Sequence, residues 1–296
     1  MKSGTVAVIG RANAGKSTLI NVLVGEKVAI VSPKPQTTRE RIMGVKNGED
    51  YQIVFVDTPG LYRAGNLLNA VMQKSAADAA KDVDAILFLI DAHAGISDTD
   101  KELAVKFSKA DKPFILALTK TDIMPENLLI DELKEFSKYS FPIIPVSARR
   151  NKNLKELIKV IVSALPEGDR LFNEDIISDR SEKFMIAEIM REKILLKTDE
   201  EIPHGTTVIV NTFKLKNPTT YEINLDIICE KPNHKAIIIG KGGKKIKEIS
   251  SLARLEMEKF LNKKVFLTTY VKVMEDWRNS SSLIKKLGLI EDDVNV

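Results

Sequence analysis

Apolar positions in the first half of the chain come as short continuous runs rather than alternating stripes. Val6-Ala7-Val8-Ile9 is one such run, and residues 51–56, 85–90, 114–118 and 143–146 are others. Runs of this length, bounded by turn residues, predict strands covered on both faces. Between them, 17–23, 70–80, 98–109, 125–138 and 154–165 carry apolar residues at helical spacing. The alternation predicts an α/β, doubly wound sheet, mixed but mostly parallel, with helices on both faces. Asn47-Gly48, between 42–46 and 51–56, predicts a hairpin and so one antiparallel edge pair.

The pattern changes after Pro166-Glu167-Gly168-Asp169-Arg170, a turn cluster that ends the last of these helices. The acidic stretch from there to Ser181 reads as a linker, giving a first domain over 1–170, a linker over 171–181 and a second domain over 182–296. In the second domain, Phe184, Ile186, Ala187, Ile189, Met190 and Ile194 predict a helix. Residues 206–214 and 219–229 predict a hairpin turning at Asn217-Pro218, 265–274 a third strand, and 282–289 a short closing helix. Helix, strand, strand, helices, strand is an α+β order.

Composition narrows the class. A chain of 296 residues with 44% hydrophobic and 29% charged residues suits a soluble protein of two domains. No apolar run approaches the roughly 18 residues that span a bilayer. Met1-Lys2-Ser3-Gly4 leads straight into a strand, so no signal peptide is expected. Cys229 is the only cysteine, which excludes an intrachain disulfide and a cysteine metal cluster. A cytoplasmic monomer is the expectation. The net charge of +4 says less than its distribution. Residues 171–230 hold 7 Lys and Arg against 12 Asp and Glu, whereas 231–264 hold 10 against 3. That basic block predicts a polyanion contact.

The chemistry of the first domain lies at the carboxyl ends of the predicted strands, where ligands of such sheets bind. Gly10-Arg11-Ala12-Asn13-Ala14-Gly15-Lys16-Ser17 follows the first strand and opens a helix. This is a P-loop. Its backbone N–H groups face a polyphosphate, Lys16 reaches the terminal phosphates, and Ser17 offers a hydroxyl to Mg²⁺. Asp57-Thr58-Pro59-Gly60 ends the 51–56 strand. Asp57 is placed to hold Mg²⁺, and the Gly60 N–H to meet a γ-phosphate. Thr119-Lys120-Thr121-Asp122 ends the 114–118 strand. The Asp122 carboxylate matches two donors of guanine, and adenine would leave it unpaired. Lys120 can lie along the base, and the backbone at Ser147-Ala148 suits the guanine O6.

These four motifs, in this order, resemble the translation-factor-like GTPases. That family carries Asn-Lys-x-Asp where this chain has Thr119-Lys120-Thr121-Asp122, so weaker nucleotide binding is expected. Pro35-Gln36-Thr37-Thr38-Arg39 occupies the place of a mobile switch segment. The resemblance maps the Mg²⁺ ligand to Thr38, with Thr37 the competing choice. It gives a metal set of Ser17, Thr38 and Asp57, and a catalytic set of Lys16, Thr38, Gly60 and Asn13. Leu61 stands where many relatives have a water-orienting Gln. Asn13 resembles the asparagine that binds K⁺ in the potassium-activated branch. Slow GTP hydrolysis to GDP, accelerated by K⁺, is the expected activity.

In the second domain, Ile239-Gly240-Lys241-Gly242-Gly243-Lys244-Lys245 and Lys247 form a basic Gly-x-x-Gly loop. It resembles that of a KH domain of the prokaryotic type, which clamps the backbone of about four nucleotides. By propensity the run 237–239 reads as a strand; the resemblance makes it a helix. Phe260 is the only aromatic in 231–264, so groove hydrogen bonding rather than stacking is expected there.

A GTPase domain joined to a KH domain, with all these motifs, resembles the Era family of bacterial GTPases over nearly the whole chain. The resemblance implies a switch that binds the single-stranded 3′ end of 16S ribosomal RNA. It further implies a role in small-subunit (30S) assembly and rRNA maturation, and peripheral association with the inner face of the cell membrane. Two other readings fit parts of the pattern. One is a P-loop helicase using ATP. The other is a GTPase of RNA modification or membrane traffic with a protein-binding carboxy-terminal half.

Overall fold

A computed structural model describes residues 1–34, 37–60, 67–70, 81–199 and 202–286. The described chain divides into two compact units. The first comprises 1–29, 38–60 and 81–179; the second comprises 30–34, 37, 67–70, 180–199 and 202–286.

In the first unit, β1 (Lys2–Gly10), β2 (Ile42–Asn47), β3 (Tyr51–Asp57), β4 (Ala85–Asp91), β5 (Phe114–Thr119) and β6 (Ile143–Pro145) form one sheet in the order β2-β3-β1-β4-β5-β6. Only β2 runs antiparallel, paired with β3 as Asn47-Gly48 predicted. Helices α1 (Lys16–Val24), α2 (Asp98–Ser108), α3 (Glu126–Phe136) and α4 (Leu154–Ala164) cover it. Alternate residues of each strand enter different cores. Val6, Val8, Phe55, Leu87 and Leu89 pack with Leu19 of α1 and Leu157 and Ile161 of α4. Ala7, Ile9, Val56, Phe88 and Leu116 pack with Ala104 of α2 and Phe136 of α3. The strands are continuously apolar because both faces are buried. Of the helix predicted over 70–80 only Ala70 is described, at the end of a helical stretch over 67–70; 71–80 lie outside the described residues.

The predicted linker is not a free connection. Residues 171–179 lie along the outer edge of β2 and belong to the first unit. Val45 N donates to Ile177 O at 2.8 Å, and Met43 N to Asp179 Oδ1 at 2.8 Å. The buried Gln52 amide accepts from Leu171 N and Phe172 N at 2.7 and 3.0 Å and donates to Phe172 O at 2.8 Å. A polar, acidic composition suggested a solvated tether. An edge strand needs partners for its outer backbone groups, and this segment supplies them.

In the second unit, α5 (Glu182–Lys197) starts at Ser181, whose side chain caps Phe184 N at 3.2 Å. It is followed by β7 (Thr206–Asn217), β8 (Thr220–Cys229), α6 (Pro232–Ile239), α7 (Lys244–Leu261), β9 (Lys264–Val273) and α8 (Ser281–Lys286). The sheet order is β7-β8-β9, with β7 antiparallel and β9 parallel to the central β8. Ile186, Ile189, Met190, Ile223, Leu225, Ile249 and Ala253 form the core between helices and sheet. Residues 237–239 are helical, against their strand propensity. They are the end of a short helix whose Ile238 is fully buried, so tertiary packing decides the conformation. No helix among the described residues is long and apolar enough to cross a membrane.

Candidate functional site

β1 delivers the P-loop, and close packing makes its first glycine necessary. A β-carbon on Gly10 would lie 2.5 Å from the Leu89 carbonyl oxygen. Gly15 precedes α1 at φ +88°, a left-handed conformation suited to glycine. α1 has no side-chain cap and no acidic residue in its first turn, which leaves its amino end ready for an anion. Gly60 packs on this loop, with its ideal β-carbon position 3.0 Å from Ala12 Cα.

Lys16 Nζ donates to Gly10 O and Arg11 O at 3.0 and 3.1 Å. Burial pushes its pKa down to about 8, opposed by Asp57. The same burial raises Asp57, opposed by Lys16 and by hydrogen bonds from Ser17 and Thr38. Ser17 Oγ donates to Asp57 Oδ2 at 2.7 Å and lies 2.9 Å from Thr38 Oγ1, which is 3.1 Å from the same carboxylate oxygen. Asp57 Oδ1 is buried with no hydrogen-bond partner. Two hydroxyls beside a carboxylate with an unsatisfied oxygen are the donor set of a hard divalent cation. Thr38, not Thr37, reaches this cluster. The Thr37 hydroxyl donates to Lys34 O at 2.6 Å. Thr58 is a pin: its hydroxyl donates to Val8 O at 2.9 Å. Pro59 is buried beside it. Pro35, Gln36 and Leu61 lie outside the described residues.

Not every P-loop side chain turns inward. Arg11 reaches Ser97 Oγ and Asp100 Oδ2 of the α2 capping box, at 3.0 and 3.1 Å. Asn13 is exposed at φ +65°.

A cleft of about 190 Å³ adjoins the P-loop, lined by Gly15, Leu19, Thr119, Lys120, Asp122 and Ala148 among others. The Thr119 hydroxyl lies 2.7 Å from Ala14 O and 3.1 Å from Ile90 O. Its one proton is thus engaged with backbone, tying β5 to the P-loop and leaving nothing to donate to a base. Ser147 Oγ donates to Asp122 Oδ1 at 2.7 Å, and this bond holds the carboxyl below its usual range. Thr121 donates to Val146 O at 3.1 Å, joining the two base-side loops. Lys120 Nζ pairs with Asp91 Oδ2 at 2.6 Å. The sequence reading missed Asp91; its one signal was its place at the end of a strand.

In the second unit, Gly240 stands at φ +72°, where a β-carbon would meet Lys245 Cβ at 2.6 Å. Gly242 and Gly243 also have positive φ, with open space before them. α7 then begins with Lys244, Lys245 and Lys247 and has no acidic residue in its first turn. Lysines at a helix amino end oppose the helix dipole, an arrangement that a bound phosphate relieves. Ile239, beside the loop, is half-buried, and Lys241 is exposed. A groove of about 260 Å³ runs from here between α7 and β9, with Lys247, Ser250 and Arg254 on one wall and Leu267 and Thr269 on the other. Ser250 and Arg254 were also missed. Their helical spacing from Lys247 was the available signal.

Residues 30–34 and 37 pack within this unit on α5. Val31 N donates to Glu192 Oε1 at 2.9 Å, and Arg191 Nη2 donates to Thr37 O. Arg191 also pairs with Glu188 at 2.6 Å, and Lys34 with Asp199 at 2.5 Å. Lys193 bridges Glu192 and Glu256 of α7, the groove helix.

The profile of the family described as 50S ribosome-binding GTPase matches residues 5–120, and that of the KH domain matches 201–278. GTPase Era of Alkaliphilus metalliredigens is 46% identical over 290 residues, covering 97% of this chain and 98% of that protein. GTPase Era of Clostridium novyi is 43% identical over 292 residues, covering 98% and 99%. Among solved structures, a variant of Aquifex aeolicus Era bound to GDP and AlF4⁻ superposes with a TM-score of 0.92 at 42% identity, over 98% of this chain and 100% of that one. Era in complex with MgGDPNP and nucleotides 1506–1542 of 16S ribosomal RNA gives the same TM-score, identity and coverage. With relatives of this identity spanning nearly its full length, the chain belongs to the Era family of GTPases, an amino-terminal GTPase joined to a carboxy-terminal KH domain.

Proposed function

We propose that this GTPase is a slow nucleotide-controlled switch that grips the 3′ region of 16S ribosomal RNA with its KH unit during 30S assembly. One observation carries the switch: Thr37 is held by Arg191 of α5, while Thr38, its neighbour in the chain, is held by Asp57 and Ser17. A nucleotide state that holds or releases Thr38 at this cluster changes the pull on a segment bonded to the RNA-binding unit. Support for the ligands comes from the relatives solved with GDP and AlF4⁻, and with MgGDPNP and 16S nucleotides. Ser17, Thr38 and Asp57 would hold Mg²⁺, which when bound neutralises charge on the nucleotide phosphates. Lys16 and the loop N–H groups hold the phosphates, Asp122 and Ser147 the base, and Lys120 flanks it. Asn13 is the candidate K⁺ ligand.

The coupling is tested by measuring RNA affinity with GDP and with a non-hydrolysable GTP analogue. The unaltered protein should show a difference within the roughly 5- to 150-fold range of allosteric coupling. Arg191→Ala with Glu192→Gln should bring that ratio close to one while each nucleotide still binds. Equal affinities in the unaltered protein would sink the switch.

Base recognition has its own test. Asp122→Asn turns one of the two carboxylate acceptors into an NH2 donor and should weaken GTP binding roughly 100-fold. It should favour xanthosine triphosphate, whose C2 carbonyl oxygen stands where guanine has its amino group and accepts from the new amide. Unchanged GTP affinity in a competition titration would remove Asp122 from the site.

A further inference from the structure

The β7-β8-β9 sheet has a second face, turned away from its helices. On β9, Val265, Leu267, Val271 and Val273 pack toward the core, so strand alternation puts Phe266, Thr268 and Tyr270 on the opposite side. Phe266 is 52% exposed and Tyr270 58%. The register sets Lys214, Glu222 and Phe266 in one row, Thr212, Asn224 and Thr268 in the next, and Ile209, Asp226 and Tyr270 in a third. The rings therefore stand roughly 13 Å apart along the strand, with hydroxyls and an amide between them.

The rings are bordered by Lys214, Lys216 and Lys272 against Glu222 and Asp226. Lys216 Nζ sits 4.5 Å from the Phe266 ring centroid. The two acids of this face already have partners, Glu222 with Lys214 at 3.5 Å and Asp226 with Lys272 at 2.6 Å. β9 is also the edge strand and one wall of the α7 groove. Among the described residues no β-strand pairs with the outer edge of β9, so an RNA strand leaving the groove has a clear way onto this face.

We propose that this face is a second single-stranded RNA surface, on which Phe266 and Tyr270 stack bases of the RNA that continues past the groove. Lysines next to exposed rings suit stacked bases and their phosphates, and stacking tolerates any sequence. The inference rests on the reading of the α7–β9 groove as the primary RNA site. Phe266 and Tyr270 lie just beyond the aromatic-poor basic block of 231–264.

The test uses two fluorescein-labelled RNAs. The core RNA is the last dozen or so nucleotides of the 1506–1542 segment, and the extended RNA adds about ten unstructured A/C nucleotides at each end. The double variant Phe266→Ala, Tyr270→Ala should bind the core RNA as the unaltered protein does. Its affinity for the extended RNA should fall about thirtyfold or more, the expected loss for two stacked bases. Lys216→Ala alone should give a smaller loss in the same direction. Retained affinity for the extended RNA overturns the proposal, as does an equal loss on both RNAs, which would mark a general disturbance of the unit. Failure of the unaltered protein to bind the core RNA would instead overturn the groove reading.

Discussion

Lys16→Ala should lower GTP turnover by roughly 10²–10³, the scale of losing one preorganised charge aimed at the reacting phosphates. The side chain is poised for this. Its ammonium is buried and donates to two P-loop carbonyls, with Asp57 as a counter-charge. A phosphate offers it a far better partner. Because burial lowers its pKa to about 8, GTP affinity in the unaltered protein should fall as pH rises through 8. The sign for stability is opposite. Between about 8 and 10.5 the unfolded chain keeps a proton that the folded, nucleotide-free protein has released, so stability rises with pH over that window. Lys16→Ala should abolish both trends, measurable by nucleotide titration and thermal denaturation from pH 7 to 9.5. Turnover in the unaltered protein should be faster in KCl than in NaCl, and the variant slow in both. Turnover within fivefold of the unaltered rate would remove Lys16 from the catalytic set.

Lys244→Glu with Lys245→Glu should weaken core-RNA binding roughly thousandfold, the scale of two lost charge-assisted phosphate contacts. The slope of log affinity against log salt should shrink by about 1.4, or 0.7 per lysine on a single strand. Stability should move the other way. Both residues lie in the first turn of α7, where the structure has three lysines and no acid. Acidic residues there are favourable by about 0.3–1 kcal/mol each, so the variant should melt no lower than the unaltered protein. A variant that is stable but RNA-blind separates binding from folding. Full RNA affinity in that variant would leave the Gly-x-x-Gly loop without its assigned role.

Much of the fold was legible because the apolar pattern reports burial directly. The continuous runs of β1, β3, β4 and β5 required cover on both faces, and both cores are present. The P-loop and the two strand-end motifs were legible because each is a local backbone shape next to a local donor set. The 171–181 linker was misread for a related reason. Composition reports solvation, but the backbone of 171–179 answers the unpaired edge of β2, and no local pattern records that. The choice between Thr37 and Thr38 was equally closed to the sequence. Adjacent threonines differ only in where the folded chain points them.

The sequence by itself determined the two kinds of domain, the glycine-rich loop that ends β1, the strand-end turns at Asp57 and Asp122 and the basic Gly-x-x-Gly turn. All of these are set by residues within a few positions of one another. Tertiary structure alone decided the contacts between distant positions. Thr119 ties to the P-loop 105 residues away, and Gln52 to the edge segment 120 residues away. It also put Thr37 on α5 and two aromatic rings on the open face of the KH sheet. Such pairings depend on which elements the packing of the cores brings side by side, and that is a property of the whole chain rather than of any window along it.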